Sequence, residues 1–205
     1  MIDKAKCISA QILLMHAPME YLRHEKNLRK AIEEEYGYRF KSNFEASMAV
    51  ALYSLDIPYT YAQTKFHFTL DNKVITYTPD FVLGMKHENS QILIEPHGSS
   101  FINERFITKM NTFMSTRESD LYYTILVTDK RPKKPNKLKI ELNRYGYTYN
   151  DICDDVWYIP YAVELGVPIS TRTGMGSIFS MLRGLKERED VSIMPESVEM
   201  LKSRR

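Results

Sequence analysis

Hydrophobic residues recur with the spacing of an amphipathic helix in three parts of this sequence. The first part follows Ser42-Asn43-Phe44-Glu45, which has the form of a capping box, so a helix is predicted from Asn43 to Leu55. The second runs from Ile102 to Thr116, and the third from about Ser177 to Arg188. The predicted core-facing residues are Phe44, Met48, Leu52 and Leu55 in the first, Phe106, Met110, Phe113 and Met114 in the second, and Ile178, Met181, Leu182 and Leu185 in the third.

Runs rich in β-branched and aromatic residues predict strands between these helices. They cover Tyr59–Leu70, Val74–Leu83, Gln91–Glu95, Leu121–Thr128 and Val156–Ile159. From Asn43 to Thr128 the order is therefore helix, strand, strand, strand, helix, strand. This order predicts an α/β fold with a mixed central sheet flanked by helices.

The second and third of these strands form a predicted β-hairpin around the polar segment 86–90. A turn centred between His87 and Glu88 places apolar residues opposite one another. The predicted pairs are Phe81 with Ile94, Val82 with Leu93, and Leu83 with Ile92.

The same register places Asp80 opposite Glu95. Side chains directly opposed in a sheet are about 5 Å apart at Cβ, and two like charges there are destabilising. A cation held between the carboxylates would explain the arrangement. His97 lies two positions after Glu95 and is expected on the same face while the strand continues.

Segments on both sides of this core complete the predicted organisation of a single globular domain. Residues 1–38 are predicted to be a helical extension packed on the core, 39–160 the α/β core, and 161–205 a C-terminal extension with one amphipathic helix. Because the chain contains no apolar run of about 18 residues, no membrane span is expected. Two cysteines exclude a disulfide framework, and an intracellular, cytoplasmic protein is expected.

The composition is that of a globular protein, with 43% hydrophobic and 26% charged residues, and the net charge is only +2. The basic residues are nevertheless clustered. Segment 129–139 contains two prolines and is predicted to be an exposed loop, with basic residues Lys130, Arg131, Lys133, Lys134, Lys137 and Lys139. Such a loop is usually only solvated, but beside a metal-carboxylate site it is a candidate for phosphate contacts.

Four segments in this order resemble the PD-(D/E)XK nuclease superfamily, which includes restriction endonucleases and Holliday-junction resolvases. Segment 42–45 resembles its early acidic helix, and segment 57–61 resembles the strand that follows. Segment 77–81, with Pro79-Asp80, resembles the Pro-Asp motif, and segment 94–98, with Glu95-Pro96-His97-Gly98, resembles the Glu-X-Lys-Gly end of the next strand. The resemblance implies the αβββαβ core of restriction endonucleases, with the N-terminal and C-terminal segments as extensions.

The resemblance further implies that Asp80 and Glu95 bind Mg²⁺ or Mn²⁺, with the Pro96 carbonyl as an extra ligand. Glu45 would complete or modulate the site, although it also has the position of an ordinary capping-box carboxylate. The implied reaction is metal-dependent hydrolysis of phosphodiester bonds in DNA, in recombination, repair or mobile-element processing.

His97 stands where the superfamily usually has lysine, and three interpretations remain open. His97 acts as a general base or weak metal ligand, or the lysine role has moved to Lys109 or Lys65. Alternatively, the site is catalytically impaired, and the protein is a DNA-binding or assembly module.

The resemblance also implies partners. Duplex or branched DNA is the expected ligand, and a homodimer would suit cleavage of two strands. No membrane and no small-molecule cofactor is expected. An α/β protein of another kind, with paired carboxylates by accident, is the remaining alternative.

Overall fold

The computed structural model describes residues 30, 33–34, 39–70, 72–116, 118–130, 136–160 and 172–194. Of the predicted N-terminal extension 1–38, residues 30, 33 and 34 are helical and the others lie outside the described residues. The helices are α1 (Asn43–Ser54), α2 (Glu104–Met114), α3 (Lys137–Tyr145) and α4 (Arg172–Lys186). The strands are β1 (Tyr59–Tyr61), β2 (Phe66–Leu70), β3 (Lys73–Tyr77), β4 (Phe81–His87), β5 (Ser90–Pro96), β6 (Tyr122–Lys130), β7 (Asp155–Pro160) and β8 (Val191–Ile193).

The main sheet has the strand order β1-β4-β5-β6-β7, with β8 also paired to β4. Strand β5 pairs antiparallel with one edge of β4, and β1 and β8 pair antiparallel with successive parts of the other edge. Strands β6 and β7 extend the sheet beyond β5 in parallel. The predicted α/β class with a mixed sheet is therefore confirmed.

Two apolar cores cover the two faces of this sheet. Helices α1 and α4 pack on one face through residues that include Met48, Leu52 and Leu182. Helices α2 and α3 pack on the opposite face, where Phe106 and Leu142 are buried. Alternation along β5 sends Ile94 to the first face, so Glu95 belongs with the face that α2 covers.

Helix α1 begins where the capping box predicts. The Ser42 hydroxyl accepts a hydrogen bond from the Glu45 backbone N–H at 3.1 Å. The predicted stripe is confirmed, because Phe44, Met48 and Leu52 are buried and Leu55 packs against them.

The predicted strand Tyr59–Leu70 is wrong, because it is two strands in different sheets. After β1 the chain turns at Ala62, which has a positive φ of 50° and donates its backbone N–H to the Asp80 carbonyl at 2.9 Å. Strand β2 then pairs with β3 in a separate two-stranded hairpin. The predicted strand Val74–Leu83 is likewise divided, since Thr78, Pro79 and Asp80 separate β3 from β4, and Pro79 has no N–H to donate to a sheet.

The register of β4 with β5 is confirmed at the end where the carboxylates lie. Phe81 pairs with Ile94, and Val82 with Leu93. The predicted pair of Leu83 with Ile92 is wrong, because a bulge interrupts the ladder between Val82 and Lys86. The turn is centred one residue later than predicted, at Glu88-Asn89, and Glu88 has a φ of 53°.

Gly84 in the bulge gives the physical reason for the irregularity. Its N–H donates to the Pro58 carbonyl at 2.7 Å, and its carbonyl accepts from the Met194 N–H at 2.9 Å. Gly84 therefore lies where the pairing of β4 passes from β1 to β8. The hairpin bends at this position, and β4 can therefore pair with β1 before the bulge and with β8 after it.

The prediction that 129–139 is an exposed loop is wrong at both ends. Asp129 and Lys130 complete β6, and Lys137 begins α3, with the Asn136 side chain accepting from the Lys139 N–H at 3.3 Å. Leu138 and Leu142 bury the inner side of this helix. Residues 131–135 lie outside the described residues.

The described part of segment 161–205 contributes to both the sheet and a core. Helix α4 begins at Arg172, earlier than predicted, and ends at Lys186. Its predicted apolar side is confirmed by burial of Ile178, Leu182 and Leu185. Strand β8 was not predicted. None of the helices among the described residues is long and apolar enough to cross a membrane.

Candidate metal-carboxylate site

Asp80 and Glu95 come together as the register predicts. Asp80 is the residue before β4, and Glu95 is the penultimate residue of β5. The Asp80 N–H donates to Glu95 Oε2 at 3.4 Å. Only 8% of Asp80 and 3% of Glu95 is exposed to solvent, so two carboxylates share a nearly dry position.

This burial makes the negative charge on Glu95 unfavourable. Removal from water raises the pKa of Glu95 well above its ordinary value, and the neighbouring Asp80 carboxylate raises it further. The Lys109 ammonium and the Tyr77 hydroxyl act in the opposite direction. In the metal-free protein Glu95 therefore holds its proton more tightly than an exposed glutamate does, and a divalent cation bound here would have to displace that proton.

Lys109 reaches this position from helix α2. Its ammonium lies 5.0 Å from the centre of the Tyr77 ring and 5.7 Å from that of Phe106. Its charge lowers the pKa of Glu95. Of the two lysines considered as replacements for the missing motif lysine, Lys109 is beside the carboxylates, whereas Lys65 is exposed in the link between β1 and β2.

Lys41 is a residue of this site that the sequence did not identify. Its ammonium forms an ion pair with Asp80 Oδ1 at 3.1 Å, although 61% of the lysine side chain is exposed. Partial burial lowers the pKa of Lys41, but the Asp80 carboxylate, with help from Glu45 and Glu95, outweighs this effect and raises it. The Lys41 ammonium therefore offsets part of the negative charge of Asp80 on the side of the site that faces solvent.

Glu45 lies near Asp80, and its oxygens are occupied. It accepts hydrogen bonds from the Tyr61 hydroxyl, from the Lys41 N–H at 3.1 Å and from the Ser42 hydroxyl at 2.8 Å. Burial, followed by the charge of Asp80, raises its pKa. The cap is thus formed, and direct metal ligation by Glu45 would require some of these bonds to be given up.

His97 is held by its surroundings. Its ring stacks on Phe106 with centroids 3.9 Å apart and planes at 13°. Its Nε2 lies 3.2 Å from the Phe101 carbonyl, which can only accept, so Nε2 carries the proton and Nδ1 has the lone pair in the neutral ring. Burial lowers the pKa of His97, and the positive charge of Lys109 lowers it further. The hydrogen bond to the Phe101 carbonyl and the charge of Asp80 raise it, but by less, so the pKa is lowered overall.

Two carboxylates, without a third ligand of the same kind, define this candidate metal centre. In the described part of the chain, no group of three or more His, Cys, Asp or Glu side chains could hold a metal ion. Mg²⁺ commonly binds through one or two carboxylates and fills its shell with water and substrate phosphate. The oxygen donors of the buried Asp80–Glu95 pair are compatible with Mg²⁺ or Mn²⁺ held in this manner, and binding of the ion stays a prediction. Ligation by the Pro96 carbonyl remains a prediction.

Three of the six predicted phosphate-binding residues lie in the part of the chain that the structure describes, and three lie outside it. Lys130 ends β6, and Lys137 and Lys139 are exposed at the start of α3. Because β5, β6 and β7 are parallel, their final residues lie at the same end of the strands as Glu95. Arg131, Lys133 and Lys134 lie outside the described residues.

Comparison with known proteins gives no relative. No protein-family model matches this sequence, no curated protein is similar to it, and no solved structure matches it.

Proposed function

We propose that this protein is a Mg²⁺- or Mn²⁺-dependent deoxyribonuclease that hydrolyses phosphodiester bonds in DNA. The observation that carries the proposal is the buried pair Asp80 and Glu95, brought together where β4 begins and β5 ends. Buried carboxylates without full compensation are typical of metal and catalytic sites. The pair also has the positions of the acidic residues in the Pro-Asp and Glu-X-Lys motifs.

The order of elements supports the same family. When the β2–β3 hairpin is set aside as an insertion, the chain reads α1, β1, β4, β5, α2, β6. This is the αβββαβ order of the PD-(D/E)XK core. A restriction endonuclease-like core is therefore part of the proposal.

Asp80 and Glu95 would hold the metal ion, which would lower the pKa of an attacking water and offset charge on the phosphate. Lys109 enters from α2 as a cation on the Glu95 side and would help to neutralise the charge that develops on the phosphoryl oxygens. Lys41 has Asp80 as its partner and is exposed enough to turn toward a DNA phosphate once a metal ion replaces it there.

For the missing motif lysine, we favour transfer of its role to Lys109. His97 stacks on Phe106 and donates to a backbone carbonyl, so it is engaged in holding the end of β5 against α2. In this proposal His97 is a positioning residue. Lys109 supplies the charge that the family normally takes from the position of His97.

The proposal is tested by cleavage of a panel of duplex, branched and single-stranded DNA with Mg²⁺, Mn²⁺ or EDTA. Asp80→Asn and Glu95→Gln should abolish metal-dependent cleavage, because each removes one of only two carboxylate ligands. The matched controls Asp120→Asn and Glu118→Gln change exposed carboxylates and should cleave as the unaltered protein does. Cleavage that survives Asp80→Asn in a preparation free of other nucleases would refute the proposal.

A DNA-binding or assembly module without catalysis is the second candidate. It is favoured by the histidine in place of the motif lysine and by the ion pair that Lys41 makes with Asp80. Calorimetric titration with Mn²⁺ separates the two, since the module requires no metal binding at Asp80. Sedimentation of the protein with and without DNA would test the proposed homodimer.

A further inference from the structure

Phe101 is an aromatic side chain exposed beside the candidate site. It ends a short 3-10 helix, Ser99–Phe101, between β5 and α2, and 69% of the residue is exposed. The other large hydrophobic residues exposed to this degree in the described ranges, Val74 and Leu121, are aliphatic. Burial of a phenylalanine side chain stabilises a folded protein, and Phe101 forgoes most of that stabilisation.

A series of ring contacts connects Phe101 to the carboxylates. Its ring centre is 6.5 Å from that of His97, with planes at 79°, and its carbonyl binds His97 Nε2. His97 in turn stacks on Phe106, above which Lys109 lies. Phe101 is therefore one side chain removed from residues that surround Glu95.

The backbone that presents Phe101 is fixed. The Phe101 N–H donates to the Gly98 carbonyl at 2.9 Å, and the short helix packs against both α3 and β6. Exposed basic residues lie on the neighbouring elements, with Arg105 on α2, which follows the short helix in the chain, and Lys137 and Lys139 on α3. An exposed aromatic ring on a hydrogen-bonded backbone, with cations on neighbouring elements, is a combination that binds unpaired bases, because the ring stacks on a base while the cations attract the phosphates.

Resting on the proposed function, we propose that Phe101 stacks on an unpaired nucleobase next to the phosphate cleaved at Asp80 and Glu95. The substrate is then DNA with a single-stranded stretch or a branch. In a continuous duplex both faces of each base are already stacked, so a side chain reaches them only after a base is unstacked, which costs free energy. The ring thus selects the DNA structure and reads no sequence.

Binding to 2-aminopurine-labelled DNA, with Ca²⁺ in place of Mg²⁺ to prevent cleavage, tests this proposal. The probes are a single-stranded oligonucleotide, a flap and a continuous duplex of one sequence. Phe101→Ala should weaken binding to the first two by about 5- to 140-fold, the equivalent of about 1–3 kcal/mol for one stacked base. Phe101→Trp should preserve binding and 2-aminopurine quenching. Leu121→Ala, which truncates another exposed apolar residue in a short 3-10 helix, is the matched control and should change nothing.

Duplex binding by Phe101→Ala should stay within about twofold of the unaltered protein, because duplex binding is carried by phosphate contacts. An equal loss for single strand and duplex, or no loss for either, would overturn the stacking role, and so would an absence of DNA binding. Loss of single-strand binding alone, in a protein that cleaves nothing with any metal, would support the stacking role and refute the nuclease. Cleavage of the continuous duplex and of the flap at the same rate, unchanged for both in Phe101→Ala, would refute the selection of unpaired DNA by Phe101 and leave the nuclease standing.

Discussion

Replacement of Glu95 by glutamine gives a prediction about the stability of the metal-free protein. The folded protein binds a proton at Glu95 more tightly than the unfolded chain does, because burial and Asp80 raise the pKa of Glu95. Glutamine resembles the protonated acid in shape and has no charge to lose. We therefore expect Glu95→Gln to be more stable than the unaltered protein at neutral pH in EDTA.

The sign and size follow from proton linkage. An acid with a raised pKa in the folded state favours folding below its unfolded value, here 4.5, and this advantage is lost as pH rises toward the folded value. Within that window the unfolding free energy falls by up to about 1.4 kcal/mol per pH unit for this one proton. Two pH units into the window, the variant should gain about 2.7 kcal/mol relative to the unaltered protein.

Urea unfolding at several pH values between 4.5 and 8, in EDTA, measures this difference directly. Other carboxylates with shifted pKa values, such as Glu45 and Asp154, contribute to both proteins and largely cancel. Glu118→Gln, at an exposed position, should run parallel to the unaltered protein. Mn²⁺ at 1,000 times its dissociation constant should reverse the order, since it adds about 4.1 kcal/mol to a protein that still binds it.

Two results would refute this reasoning. Parallel stability curves for Glu95→Gln and the unaltered protein would mean that Glu95 titrates normally and is not paired with a charged Asp80. Stabilisation of Glu95→Gln by Mn²⁺ to the same degree as the unaltered protein would mean that the metal binds elsewhere.

Three further predictions concern the cations and the histidine. In single-turnover assays, Lys109→Met should reduce the cleavage rate by about 10²- to 10³-fold. The control Lys73→Met, on the exposed β2–β3 hairpin, should have no effect, and a Lys109→Met rate equal to that of the unaltered protein would remove Lys109 from the site. His97→Phe, which preserves a ring on Phe106, should retain the shape of the pH–rate profile between pH 5.5 and 8, and loss of an acidic limb there would instead identify His97 as a general base. Lys139→Gln should weaken binding to all DNA probes alike and lower the slope of log affinity against log salt by about 1, so an unchanged slope would exclude a phosphate contact.

The sequence predicted the carboxylate pair because that pair depends on local patterns. Alternation along β4 and β5 determines which residues face each other, and Pro79 fixes where β4 begins. Helix α1 could be predicted equally well, since its cap and its apolar stripe lie in one short stretch of sequence. The bulge at Gly84 could not be predicted from local sequence, because it arises where β1 and β8 meet on one edge of β4.

The remaining errors have similar physical causes. Helix α3 was hidden by its lysines, although Asn136, the apolar pair Leu138 and Leu142, and Gly146 with a positive φ of 76° are a recognisable cap, stripe and end. Lys41 was missed because its partner Asp80 is 39 residues away in the sequence. No local pattern reports an ion pair over that separation.

Strand β8 also affects how a newly made chain completes its sheet. His87 on β4 and Asp190, next to β8, are 103 residues apart, yet they form a hydrogen bond and their strands pair. During synthesis the edge of β4 from Met85 to His87 therefore emerges from the ribosome long before its partner. Open strand edges pair readily with other chains, and pairings of such long range form slowly. Until residues 191–193 appear, this edge of β4 is consequently open to pairing with other chains, and a chaperone that covers it would guard against aggregation in that interval.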